Sequence, residues 1–127
     1  MLGSQDVMAT VAVRSLATAR PFYEETLGLK AVDESQAEHG VVGFEAGGTR
    51  VLVYQSQFAG TNQATVLTWA LGEDFDAAVK ALQGKGVAFA TYDMPGAVRD
   101  GPVHVMGDMR VVWFKDPDGN ILSLGNY

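Results

Sequence analysis

Two histidines are the only imidazoles in this 127-residue chain, and cysteine is absent. That inventory limits the chemistry at once. Neutral imidazole with carboxylate suits a divalent metal or proton transfer, so His39 and His104 are the first residues to place. His39 lies in Glu38-His39-Gly40, where an exposed connection between strands is expected. His104 falls within a long, irregular stretch, where a lone histidine is expected to be solvated; with Asp93, Asp100 or Asp108 it would make at most a weak metal site. Ser123 and His104 can be written into a Ser-His-acid triad, but nothing like a nucleophile elbow surrounds Ser123. The adjacent acids Glu24-Glu25 and Glu73-Asp74 lie on or near helices that should be solvated. No thiolate nucleophile, zinc site or disulfide is available, and the scattered glycines form no phosphate-binding loop.

Short elements must position these side chains. Val7 to Val13, "VMATVAV", is short, apolar and β-branched, and reads as a strand. Leu16, Ala19, Phe22, Tyr23 and Leu27 fall at helical spacing. Pro21 is tolerated in a first turn, so this helix is expected to start near Ala17 or Thr18 and to end at Gly28. "LKAVDE" and "GVVGFEA" read as strands, and Gly47-Gly48 turns the chain into "TRVLVYQ". After the polar connector "SQFAGTNQA" the pattern restarts. "TVLTWAL" is a strand, and "DFDAAVKALQ" is a helix with Phe75, Ala78, Val79 and Leu82 on one face, Asp74 as N-cap, and Gly84 and Gly86 at its end. "VAFATY" is a strand, and "RVVWFK" and "ILSL" form a hairpin about the turn "DPDGN". Asp93 to Asp108, rich in Gly and Pro, is the least regular part.

The restart is an internal repeat. Val11-Ala12-Val13 maps onto Trp69-Ala70-Leu71 at an offset of 58, and Gly28-Leu29 onto Gly86-Val87 at the same offset. Each half reads as strand, helix and three strands. A unit of this kind has a helix on only one face of its sheet, so the other face needs a cover. The fold class expected is α+β: two βαβββ modules, about 7–55 and 65–124 of one domain over 1–127, forming a curved mixed sheet with a trough.

Fifteen acidic against nine basic residues give a net charge of −6 and a pI near 4.7. Nucleic-acid partners, which need clustered Lys and Arg, are disfavoured, and so are anionic membrane surfaces. A cationic small molecule would suit this charge, although acidity also serves solubility. No apolar run is long enough to span a bilayer. The opening "MLGSQDVMATVAV" has no basic segment followed by a long apolar one, so no signal peptide is expected. The expected setting is cytoplasmic.

"ATVAVRSLATARPFYEETLGL" and "WFKDPDGNILSL" together closely resemble the vicinal-oxygen-chelate superfamily, the glyoxalase, bleomycin-resistance and extradiol-dioxygenase group. The first segment is similar to that family's strand and its helix with a Phe-Tyr pair and a Leu-Gly end; the second is similar to its closing hairpin. The resemblance runs from about Val7 to Leu124. It implies paired βαβββ modules, a cavity in the trough and, commonly, a homodimer. It also implies divalent-metal ligands, His and Glu, on the trough face. Carried over position by position, those ligands fall on Met8, Leu52, Val66 and Ser123, none of which suits a hard metal. Their neighbours Val7, Ala9, Thr65, Leu67, Leu122 and Leu124 supply no His or carboxylate either.

Strand alternation names the residues that would line a trough. With Val11 and Val13 toward the helix, Thr10 and Ala12 face the trough. The repeat turns Trp69 and Leu71 to the helix, and Val66, Thr68 and Ala70 to the trough. Arg50, Leu52, Tyr54 and Ser123 join them, and so does Trp113 if Phe114 is core. Tyr92 and Met94 stand where the long loop begins. The candidate ligand-binding set is therefore Thr10, Arg50, Tyr54, Thr68, Tyr92, Met94, Trp113 and Ser123. These suit a partly apolar organic molecule held by a few polar groups, with no metal and no cofactor. The expected function is metal-independent binding of a small molecule, similar to the bleomycin-resistance branch. The alternative is a metal-dependent lyase, isomerase or oxygenase with a relocated site.

Overall fold

The computed structural model describes residues 1–127. The chain divides into two compact units, Met1–Thr61 and Asn62–Tyr127, and each carries its own open, mixed sheet. The class is α+β.

The first unit runs β1 (Ala9–Val13), α1 (Leu16–Pro21), β2 (Lys30–Asp33), β3 (Val41–Ala46) and β4 (Thr49–Gln55). The sheet order is β1-β4-β3-β2, with β1 parallel to β4 and the other pairs antiparallel. Val11, Val13, Val51, Val53, Val42 and Phe44 are buried on one face together with Leu16, Ala19 and Tyr23 of the helix. Each Val, Leu or Phe among them contributes about 1.5–3 kcal/mol when removed from water.

The helix starts earlier than the sequence suggests. Leu16 is its first residue and Pro21 its sixth, so the proline is not in the first turn. A proline cannot donate back to the carbonyl four residues earlier. The chain accommodates this by widening to a π-turn over Phe22–Thr26, closed by the Leu27 N–H on the Phe22 carbonyl at 2.9 Å. The early start has its own support: the Leu16 N–H donates to Gln55 Oε1 at 3.1 Å, so the β4 end caps the helix. Gln55 in turn lies against Gly40, whose φ of 82° and lack of space for a Cβ make it a site for glycine.

The second unit runs β5 (Thr65–Ala70), α2 (Phe75–Gly84), β6 (Phe89–Ala90), β7 (Val98–Asp100), β8 (Val103–Met106), β9 (Met109–Lys115) and β10 (Ile121–Gly125). The order is β5-β10-β9-β8-β7, and β6 also pairs with β9. β6 takes the Trp113–Phe114 end of β9 and β8 the Met109–Val111 end. The second unit is thus βαβββ with a hairpin inserted. The stretch read as irregular holds that hairpin, β7–β8, and the strand read over "VAFATY" shrinks to two residues. Asp74 stands at the N-cap position of α2, as expected, but its side chain makes no cap bond, because it is also the last residue of a 3₁₀ turn, Gly72–Asp74, and has helical φ/ψ. Phe114, Val112, Leu122, Leu124 and Val103 are buried on the same side as Phe75, Val79 and Leu82 of α2.

The β9–β10 turn is held by its own side chains. Asp116 Oδ1 accepts from the Asp118 and Asn120 N–H groups, each at 2.9 Å. Asn120 Nδ2 donates to Asp116 Oδ2 at 2.7 Å, and Gly119 takes φ 90°.

Candidate functional site

Registry determines what each open sheet face presents. In the first unit Thr10 pairs with Leu52 and Ala12 with Tyr54; in the second Thr68 pairs with Ser123 and Ala70 with Gly125. The two parallel pairs, Thr10–Leu52 and Thr68–Ser123, are equivalent, as the repeat requires.

On the second unit's open face two rows run across the sheet. The first is Thr68 (β5), Ser123 (β10), Trp113 (β9) and Ala90 (β6). The second is Ala70, Gly125, Val111, His104 (β8) and Arg99 (β7). Thr68 Oγ1 and Ser123 Oγ share a hydrogen bond of 2.7 Å; Thr68 is exposed and Ser123 buried. The Trp113 indole N–H donates to Thr65 Oγ1 at 3.2 Å. Its ring meets His104 edge-on at 5.0 Å between centroids and Tyr92 at 5.4 Å.

The sequence reading and this geometry part at two positions. A bulge opposite Ile121–Leu122 shifts the register of β5, so Thr65, not Val66, meets the indole. His104 is not solvated: it is fully buried. Its Nε2 accepts the Tyr92 N–H at 3.0 Å. The imidazole hydrogen therefore sits on Nδ1, which is buried without an acceptor. Thr65 could have been found only by placing the bulge, and His104 only by recognising β8.

The candidate residues gather as follows. Thr68, Ser123, Trp113 and Tyr92 come together on the second unit's open face. Tyr92 and Met94 line a pocket of about 370 Å³ with Asp93, Pro95, Ala97 and Arg99. Thr10, Arg50 and Tyr54 stand exposed on the first unit's open face, with Leu52 between the latter two on β4. Arg50 is opposite Glu45. Hydrogen bonds from Ser35, with the charge of Arg50 adding, hold the Asp33 carboxyl below its usual range. His39 is exposed in the connection before β3.

The donors present do not fit a divalent metal. The positions carried over from the family, Met8, Leu52, Val66 and Ser123, offer no imidazole or carboxylate, and no three His, Cys, Asp or Glu side chains converge anywhere in the chain. Nor do the acids proposed with His104 gather around it: Asp100 lies on the helix side, 3.8 Å from Arg110, and Asp93 lines the pocket.

Two βαβββ units, each with a helix packed on one face of its sheet, define the paired-module class. The match of the family model for the Glyoxalase/Bleomycin resistance protein/Dioxygenase superfamily to residues 6–124 places the chain: it belongs to that superfamily. Three solved structures share the fold. An integron cassette protein from the mobile metagenome of the Halifax Harbour sewage outfall is 21% identical, with a TM-score of 0.70, covering 98% of this chain and 99% of that one. Lactoylglutathione lyase from Agrobacterium tumefaciens is 18% identical, with a TM-score of 0.71 and coverage of 96% and 92%. The fosfomycin resistance protein FosX from Listeria monocytogenes is 14% identical, with a TM-score of 0.70 and the same coverage. At these identities the likeness is one of fold alone. No curated protein sequence matches the chain.

Proposed function

We propose that this protein binds a small, partly apolar organic molecule on the open face of the second unit's sheet, without a metal or a cofactor. The observation that carries this reading is the Thr68–Ser123 hydroxyl pair in one row with Trp113. Two hydroxyls have two hydrogens, and their mutual bond uses one. Because Ser123 is buried, Thr68 presents the remaining hydrogen-bonding capacity to the outside. The indole N–H is already engaged by Thr65, so Trp113 offers a ligand its apolar ring. The row of Thr68, Ser123, Trp113 and Ala90 contains no ionisable side chain, which favours an uncharged group above it. Two structural relatives, a lactoylglutathione lyase and a fosfomycin resistance protein, are named for small molecules. That supports the reading by analogy of fold.

The chain has two tryptophans. In a Trp69→Phe background Trp113 is the sole indole, and its fluorescence reports this face. Titration with uncharged aromatic ketones and alcohols, acetophenone and benzyl alcohol among them, is expected to give saturable quenching that Thr68→Val weakens. Quenching that stays linear for every uncharged probe would overturn the reading.

A further inference from the structure

We infer that the pocket at the β7 edge of the same face takes a small zwitterion with an apolar body, the chemistry of an α-amino acid with an aromatic or aliphatic side chain. This rests on the reading that the second unit's open face binds a small molecule, and it assigns the charged end of that molecule.

The pocket of about 370 Å³ falls within the range of small-molecule sites. Its walls divide by chemistry. Tyr92, Met94, Pro95 and Ala97 offer apolar surface, while Asp93 and Arg99 bring one charge of each sign. These two charges are not in an ion pair with each other or with any other residue. Arg110, on the helix side of the sheet, behaves differently: it lies 3.3 Å from Asp76 and covers the Phe75 ring. A carboxylate on the Arg99 guanidinium and an ammonium on Asp93 would complete both groups with one ligand. A simple anion would instead leave Asp93 opposing it.

The wall is held from behind. Arg99 stands opposite His104 in the β7–β8 register. His104 is fully buried and fixes the Tyr92 backbone through its 3.0 Å hydrogen bond. His104 is a positioning residue in this arrangement; the ligand contacts come from Tyr92, Met94, Asp93 and Arg99.

Three probes of one shape separate the charges: L-phenylalanine, 3-phenylpropionate, which lacks the ammonium, and 2-phenylethylamine, which lacks the carboxylate. Calorimetric titration of the full chain is expected to show L-phenylalanine binding at least tenfold tighter than either of the others. Arg99→Met is expected to remove most of its advantage over 2-phenylethylamine, and Asp93→Asn most of its advantage over 3-phenylpropionate. Both substitutions lie at exposed positions, where folding is not at stake. No binding of L-phenylalanine, equal binding of all three probes, or binding indifferent to both substitutions would overturn the inference. If the uncharged probes still saturate Trp113 in that case, the assignment of the charged end fails alone. If they do not, the reading of the face fails with it.

Discussion

The Thr68–Ser123 pair makes a prediction in which burial decides the sign of an asymmetry. The hydroxyls are 2.7 Å apart, but Ser123 is 3% exposed while Thr68 is open to solvent. Thr68→Val keeps the shape and strands the Ser123 hydroxyl in a buried setting, which costs about 1–3 kcal/mol. Ser123→Ala removes the buried partner and leaves the Thr68 hydroxyl free to bond water, so only the net value of the hydrogen bond is lost, about 0.5–1.5 kcal/mol. The double variant leaves no buried polar group unsatisfied and is expected to cost about 1 kcal/mol, less than the sum of the two. Urea unfolding of the four proteins measures this cycle, read from midpoints at a common slope. A Thr68→Val cost no larger than that of Ser123→Ala, or strict additivity, would refute the argument that Ser123 depends on Thr68 for its only partner.

Two further outcomes test the frame around the site. Asp116→Ala removes an acceptor of three hydrogen bonds in the β9–β10 turn; with charge-assisted bonds worth about 1.5–3 kcal/mol each and partial replacement by water, a loss of about 2–4 kcal/mol is expected. Asp116→Asn, which keeps an acceptor oxygen, should lose less, and equal losses in calorimetric melting would show that the oxygen is not the reason. On α1 and its π-turn, hydrogen bonds from Arg20 at 2.8 and 3.1 Å hold the Glu24 carboxyl below its usual value of 4.5. A depressed carboxyl stabilises the fold above its unfolded value and stops doing so as pH falls through the folded one. Glu24→Gln is therefore expected to cost less than about 1 kcal/mol at neutral pH, since the pair is partly exposed. The difference in melting temperature from the parent should begin to narrow as pH falls below about 4.5 and close once the folded carboxyl is protonated; a difference that persists in acid would contradict the ion-pair origin.

What the sequence revealed follows from the range of the forces involved. β4 is found over Thr49–Gln55 as read from "TRVLVYQ", because its alternation is regular and Gly47-Gly48 marks its start. The equivalence of the two units was legible in the offset of 58, which is the spacing of Thr10 and Thr68 in their parallel pairs. The start of α1 was not legible, because a distant residue, Gln55, caps it and a π-turn absorbs Pro21. The β7–β8 hairpin escaped because Val98–Asp100 is short and polar and its strand character comes from pairing with β8. The burial of His104 escaped for the same reason: Tyr92, Val111 and Trp113 surround it through contacts that local pattern does not encode. Ser123 was legible in position, since alternation through "ILSL" sets it on the face opposite Leu122 and Leu124 and beside Trp113.

The central claim is that the second unit's open face holds a small molecule without a metal. The most direct measurement is the dissociation constant of an uncharged aromatic probe that saturates Trp113 fluorescence in the Trp69→Phe chain. It is taken before and after exhaustive dialysis against EDTA, with elemental analysis of the same samples. The expected result is an unchanged constant and no stoichiometric divalent metal in either sample. Loss of binding on chelation, restored by Mn²⁺, Ni²⁺ or Zn²⁺, would contradict it.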